Sequence, residues 1–97
     1  MKLTFTKQEG GWTAEFTASD RFNIHIEGVQ EGNVRIYQKG TEVGEYAYIR
    51  TATPYPSFSN VYDKSFAALV YPKWIKVVCD VEPSKAVVTR QTSGILA

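Results

Sequence analysis

The chain carries one histidine and one cysteine, so acid–base or nucleophilic chemistry has very few side chains on which to rest. His25 stands two residues from Asn23 and two from Glu27. In an extended segment these three side chains project from one side. That is the arrangement of a general base oriented by a carboxylate. Alternation also places a polar trio on a solvated face by default, and we prefer this plainer reading. Cys79 cannot close an intrachain disulfide, and it lies in the alternating stretch Ile75, Val77, Cys79, Val81. There it reads as a small buried hydrophobe. A dyad of Cys79 with His25 requires the two to meet, whereas the two-residue period sends Cys79 inward and His25 outward. Glu15, Glu27 and Asp80 fall on outward faces, and nothing selects a pair at the separation that glycoside chemistry needs. The scattered carboxylates, one His and one Cys match no metal-ligand spacing. No glycine is followed by the Lys-Ser/Thr pair of a phosphate loop. The expectation is a non-enzymatic protein with no metal and no cofactor.

What the strands leave over is aromatic. Tyr46, Tyr48, Tyr55, Phe58 and Tyr62 crowd around a loop containing Pro54, Pro56, Ser57, Ser59 and Asn60. Tyrosine offers a large, rigid contact area at low entropic cost, so these residues suit a protein interface. The contact candidates are Tyr46, Tyr48, Tyr55 and Phe58, with a protein as partner, including a second copy in a homo-oligomer. The alternative is a carbohydrate-binding module that stacks sugar rings on Tyr46, Tyr48, Tyr55 and Trp74. The plainest reading has Tyr46, Tyr48 and Tyr62 closing one end of the fold while Tyr55 and Phe58 pin the loop.

Short segments of alternating apolar and polar residues, separated by Gly, Pro, Asn and Asp, must position these side chains, and they mark an all-β chain. Leu3 and Phe5 face one way and Lys2, Thr4 and Thr6 the other. Glu9-Gly10-Gly11 then turns the chain, and Trp12, Ala14 and Phe16 alternate with Thr13, Glu15 and Thr17. Phe22, Ile24 and Ile26 give a third strand, and Val34 and Ile36 a fourth. In residues 45–51, Tyr46, Tyr48 and Arg50 share one face and Ala47 and Ile49 the other. Residues 52–60 read as the longest loop, since two prolines remove ladder donors. Residues 61–64 and 66–70 read as extended, with one helical turn as the alternative for 65–70. Residues 74–82 form a late strand with Ile75, Val77, Cys79 and Val81 inward, and 86–91 the last. Seven or eight short strands suit an antiparallel β-sandwich better than a closed barrel. The first and last strands are expected to be edges with backbone groups open to another chain.

A chain of 97 residues fits a single domain, residues 1–97, that buries about 65% of its unfolded surface and therefore needs most of its large apolar side chains inside. Its formal charge is +1, from eleven basic and ten acidic residues. The basic residues are scattered singly, which disfavours nucleic acid as a partner. The amino-terminal residues lack the continuous apolar run of a signal peptide, and no segment approaches the roughly 20 apolar residues of a spanning helix. A cytoplasmic location, or one inside a phage particle, and no membrane partner are the expectations.

The strings Gly11-Trp12-Thr13-Ala14-Glu15-Phe16, Val34-Arg35-Ile36-Tyr37-Gln38-Lys39 and Tyr71-Pro72-Lys73-Trp74-Ile75-Lys76-Val77 resemble those of small uncharacterised β-sandwich proteins of gut bacteria and their phages. The resemblance spans nearly the whole chain. It implies a compact virion or mobile-element component that works by contact with other subunits, and it carries over no catalytic residues.

Overall fold

Two-residue alternation decides which side each segment buries, and the residues that break it decide where the chain turns. The computed structural model describes residues 1–18, 21–29, 32–52, 61–66 and 73–91, and of 50–52 and 91 the backbone alone. Eight strands form two antiparallel sheets: β1 (Thr6–Gln8), β2 (Gly11–Ala18), β3 (Arg21–Glu27), β4 (Val34–Lys39), β5 (Ala47–Ala52), β6 (Val61–Phe66), β7 (Lys73–Cys79) and β8 (Lys85–Gln91). One sheet has five strands in the order β1-β2-β7-β4-β5, and the other has three in the order β6-β3-β8. The chain passes repeatedly from one sheet to the other, so most neighbours within a sheet are distant in sequence. This is the all-β sandwich expected from the alternation.

The core lies between the sheets. In β3, Phe22, Ile24 and Ile26 are buried while Asn23, His25 and Glu27 are half-buried on the opposite face. From the five-stranded sheet Ala14, Phe16, Val34, Ile36, Ile75, Val77 and Cys79 meet them, and Val88 closes in from β8. Ile24, Ile26, Ile36 and Ile75 are fully buried, each worth about 1.5–3 kcal/mol of transfer free energy. The two layers touch through aromatic rings. Phe16 of β2 stands edge-on to Phe22 of β3 at 5.3 Å, and Phe22 stacks on Phe66 of β6 at 5.1 Å. Such pairs add about 0.5–1.5 kcal/mol beyond their buried area.

The first hairpin is tighter than the sequence suggests. Gln8 pairs with Gly11, leaving Glu9-Gly10 as a two-residue turn. Gly11 has φ 131°, and a Cβ there would lie 2.7 Å from the Cys79 carbonyl oxygen, so glycine is required where β2 meets the end of β7.

Three expectations are corrected. The segment with Leu3 and Phe5 is not one strand. Residues 1–3 bond to β8, through Leu3 N–H to Ala86 O at 2.9 Å and Val88 N–H to Met1 O at 2.7 Å, and only 6–8 join β2. Here the chain changes sheets, straps one side of the sandwich and covers the edge that β8 was expected to leave open. The late strand ends at Cys79, not at residue 82: the Asp80 N–H still bonds to Asn33 O at 3.1 Å, in register with the ladder, and from there the chain bends away. Val81 is consequently exposed at 38% and not inward. The segment at 45–51 becomes a strand only at Ala47, and its pairing with β4 slips by one residue, since Ile36 faces Arg50 while Tyr37 faces Tyr48. Ile49 is the extra residue of this bulge. Residues 67–70, where strand and helical turn were both open, lie outside the described residues.

Candidate functional site

The outer face of the five-stranded sheet is assembled by register. Glu15 pairs with Lys76, Lys76 with Tyr37, and Tyr37 with Tyr48, so one row crosses β2, β7, β4 and β5. The next row runs Thr17, Trp74, Lys39, and Tyr46 joins it from the residue before β5. Tyr46 donates its hydroxyl to Glu15 Oε1 at 2.7 Å, reaching across the sheet. Lys76 Nζ lies 4.8 Å from the ring centres of both Tyr37 and Tyr46, and Lys39 Nζ lies 4.6 Å from Tyr46. Tyr37 and Tyr48 stand edge to face, 5.7 Å apart and inclined at 67°. Cation–π contacts at exposed sites contribute about 0.5–1 kcal/mol each, which favours these ring orientations over the alternatives. Burial, reinforced by the Glu15 carboxylate, pushes the Tyr46 phenol upward, so it remains a neutral donor.

Of the candidate contact residues, Tyr46 and Tyr48 therefore share one face, and Trp74 of the sugar-stacking set lies on it as well. Tyr55 and Phe58 lie outside the described residues. Tyr62 is separated from the other tyrosines, being 7% exposed on the inner face of β6. It does not close an end of the fold with Tyr46 and Tyr48. Tyr37, Lys39 and Lys76 were not anticipated as partners. Each occupies an outward position of an alternating strand, yet only the strand order places β4 and β7 beside β5.

The outer face of the three-stranded sheet holds the histidine. Asp63 of β6 faces His25 of β3, with His25 Nδ1 2.6 Å from Asp63 Oδ2 and Nε2 2.8 Å from Glu27 Oε2. An ionised carboxylate only accepts hydrogen bonds, so this geometry suits the protonated ring, in which both nitrogens donate, one to each carboxylate. The bonds to Glu27 and then Asp63 raise the His25 pKa above 6.5, and the same bond holds Glu27 below 4.5. A doubly donating ring has no free lone pair for general-base work. Beside it, Ser65 Oγ donates to Asn23 Oδ1 at 2.8 Å. The carboxylates sit at opposite ends of the ring, and among the described residues no group of His, Cys, Asp or Glu side chains converges to hold a metal ion.

The other candidate chemistry is dispersed. Cys79 is fully buried, and desolvation with the nearby Asp80 carboxylate pushes its thiol up to about 12. It faces the core while His25 faces solvent. Glu15 and Glu27 lie on opposite outer faces. Asp80 is tied to Arg35, Oδ1 accepting from Nη1 at 2.8 Å, and its Oδ2 accepts from Asn33 N–H at 3.0 Å. Among the described residues no helix is long and apolar enough to cross a membrane. Comparison of the chain with protein-family models, with curated proteins and with solved structures gives no match.

Proposed function

We propose that this β-sandwich is non-enzymatic and acts through protein contact, using the tyrosine and lysine face of its five-stranded sheet. The observation that carries this reading is the bracing of the exposed aromatics. Tyr48 is 56% exposed but rests edge-on against Tyr37, which is itself held beneath Lys76. Rings ordered before a partner arrives lose less entropy on binding, which is how tyrosine-rich contact surfaces gain affinity. Membership in a larger assembly, as a virion or mobile-element subunit, is the form of contact that the sequence resemblance implies.

Sugar stacking is the less favoured reading because it needs open ring faces in a flat platform. Tyr37 and Tyr46 have ammonium groups within 4.8 Å of their ring centres, and the 67° inclination of Tyr37 to Tyr48 breaks the plane. Catalysis at His25 is less favoured still, since both ring nitrogens are bound.

The test is a photoreactive amino acid placed at position 48, compared with one at Thr89, exposed on the opposite sheet. Illumination in the source cell is expected to give protein adducts from position 48 and few from position 89. Absence of adducts at 48, or equal yields at the two positions, overturns the reading. Retention on a glycan array that is lost in Tyr46→Ala favours the carbohydrate alternative.

A further inference from the structure

Resting on the protein-contact reading, we propose that the partner is a second copy of this chain, with the 41–44 turn of each copy seated on the tyrosine and lysine face of the other. Within one copy, two sets of charge are left unpaired among the described residues. Lys39 and Lys76 lie over tyrosine rings, and no described carboxylate comes within ion-pairing distance of either. Glu42 and Glu45 are exposed, and likewise have no described cationic partner. Between these two carboxylates stands Val43, 90% exposed at the tip of the β4–β5 connection. A β-branched apolar residue is unusual at such a position, where Gly, Asn and Asp dominate for conformational reasons.

The turn is held where this docking needs it. Gly44 N–H bonds to Thr41 O at 3.3 Å, and Lys39 Nζ donates to Glu42 O at 3.0 Å, so the acidic, apolar tip borders the face that carries the lysines. A patch that contains both an acidic tip and a basic aromatic floor is self-complementary. A two-fold axis beside Lys39 and Tyr46 lets each copy give its tip and receive the other's.

Each strand edge described carries a feature that disfavours pairing with another chain. β1 has three residues. β5 carries the bulge at Ile49. β6 has Lys64 on its core-facing side, opposite Ile24, yet exposed, a charge that resists edge pairing. β8 is covered by residues 1–3 along Ala86 to Val88. The side-chain face is therefore the better surface for a second copy. Strands of this length and number make a face roughly 20 Å square, a small interface of the weakly associating kind, so dissociation falls within an accessible concentration range.

The experiment is light scattering over about a hundredfold concentration range reaching ~1 mM, a range suited to weak interfaces. It compares the wild type, Glu42→Lys/Glu45→Lys, Lys39→Glu/Lys76→Glu, and an equimolar mixture of the two variants. The wild-type mass is expected to rise from monomer to dimer. Each variant alone is expected to associate roughly tenfold or more weakly, and the mixture to recover the wild-type mass. Val43→Ser, which alters a fully solvated tip and cannot disturb the core, is expected to weaken association alone. A wild type that stays monomeric, variants that dimerise like the wild type, or a mixture no heavier than its parts overturns the proposal. If the wild type is monomeric while position 48 still captures another protein, the second copy is wrong and the contact reading stands. If position 48 captures nothing, that reading fails as well.

Discussion

His25 and Asp63 sit directly opposite each other in the β3–β6 ladder and bond through Nδ1 and Oδ2 at 2.6 Å, so the imidazolium ties the edge strand β6 to the centre of its sheet while its other nitrogen holds Glu27. Because the His25 pKa is raised, its contribution to stability is complete below 6.5 and is lost as pH rises through the folded value. Because the Glu27 pKa is lowered, its contribution is present above 4.5 and is lost as pH falls through the folded value. Both act together between these limits. His25→Gln is expected to lower the melting temperature by a few degrees at most, as exposed pairs do, with the largest deficit between pH 4.5 and 6.5 and a shrinking one toward pH 9. A deficit independent of pH contradicts the clamp.

Cys79 is sealed beneath the β2–β7–β4 ladder, where burial holds its thiol at about 12. The thiolate is the reactive species, so a disulfide reagent at pH 8 is expected to leave the folded protein unmodified and to titrate one thiol once urea unfolds it. Rapid modification before unfolding, followed by absorbance, argues against the closed core.

The architecture was legible because alternation is a local property. Phe22, Ile24 and Ile26 against Asn23, His25 and Glu27 reveal both faces of β3 without reference to any other strand. The partners were not legible, because register between distant segments leaves no local trace. Nothing near His25 in sequence points to Asp63, thirty-eight positions away, and nothing near Tyr46 points to Lys76. Tyr46 and Tyr48 could be singled out by type and exposure, while the lysines that orient Tyr37 and Tyr46 followed only from the order β7-β4-β5. The strap was missed for a related reason. Leu3 and Phe5 alternate as one strand does, and the change of sheet between them is dictated by which edges are vacant.

Gly28 should be irreplaceable where Gly10 is not. Gly28 has φ 86°, and a Cβ there would lie 2.6 Å from Ser84 Oγ and 2.7 Å from Ser84 N, whose N–H bonds to Glu27 O at 2.9 Å. Gly28→Ala is expected to cost about 2 kcal/mol or more, through strain and loss of this bond. At Gly10 a Cβ would meet nothing within 4 Å, so alanine there should change stability by about 0.5 kcal/mol or less. Urea denaturation of the two variants checks the contrast, and equal losses would show that the Gly28 conformation is not required.

Leu3 holds the strap by burial, being 6% exposed, while its N–H and the Met1 carbonyl satisfy the outer edge of β8 at Ala86 and Val88. Truncation to alanine is expected to cost about 2–3 kcal/mol, the low end for leucine, because Leu3 borders an open groove lined by Pro83 and Lys85 that solvent can enter. The loss should be local before it is global. Hydrogen exchange at the Val88 amide, which donates to the strap, is expected to accelerate more in Leu3→Ala than exchange at Ile24 in the centre of the sheet, where opening requires global unfolding. Equal acceleration at both amides would mean that the strap unfolds only with the whole sandwich. Selective acceleration at Val88 would identify the strap as the element whose release exposes an unpaired edge, and such a variant should aggregate at concentrations where the wild type does not.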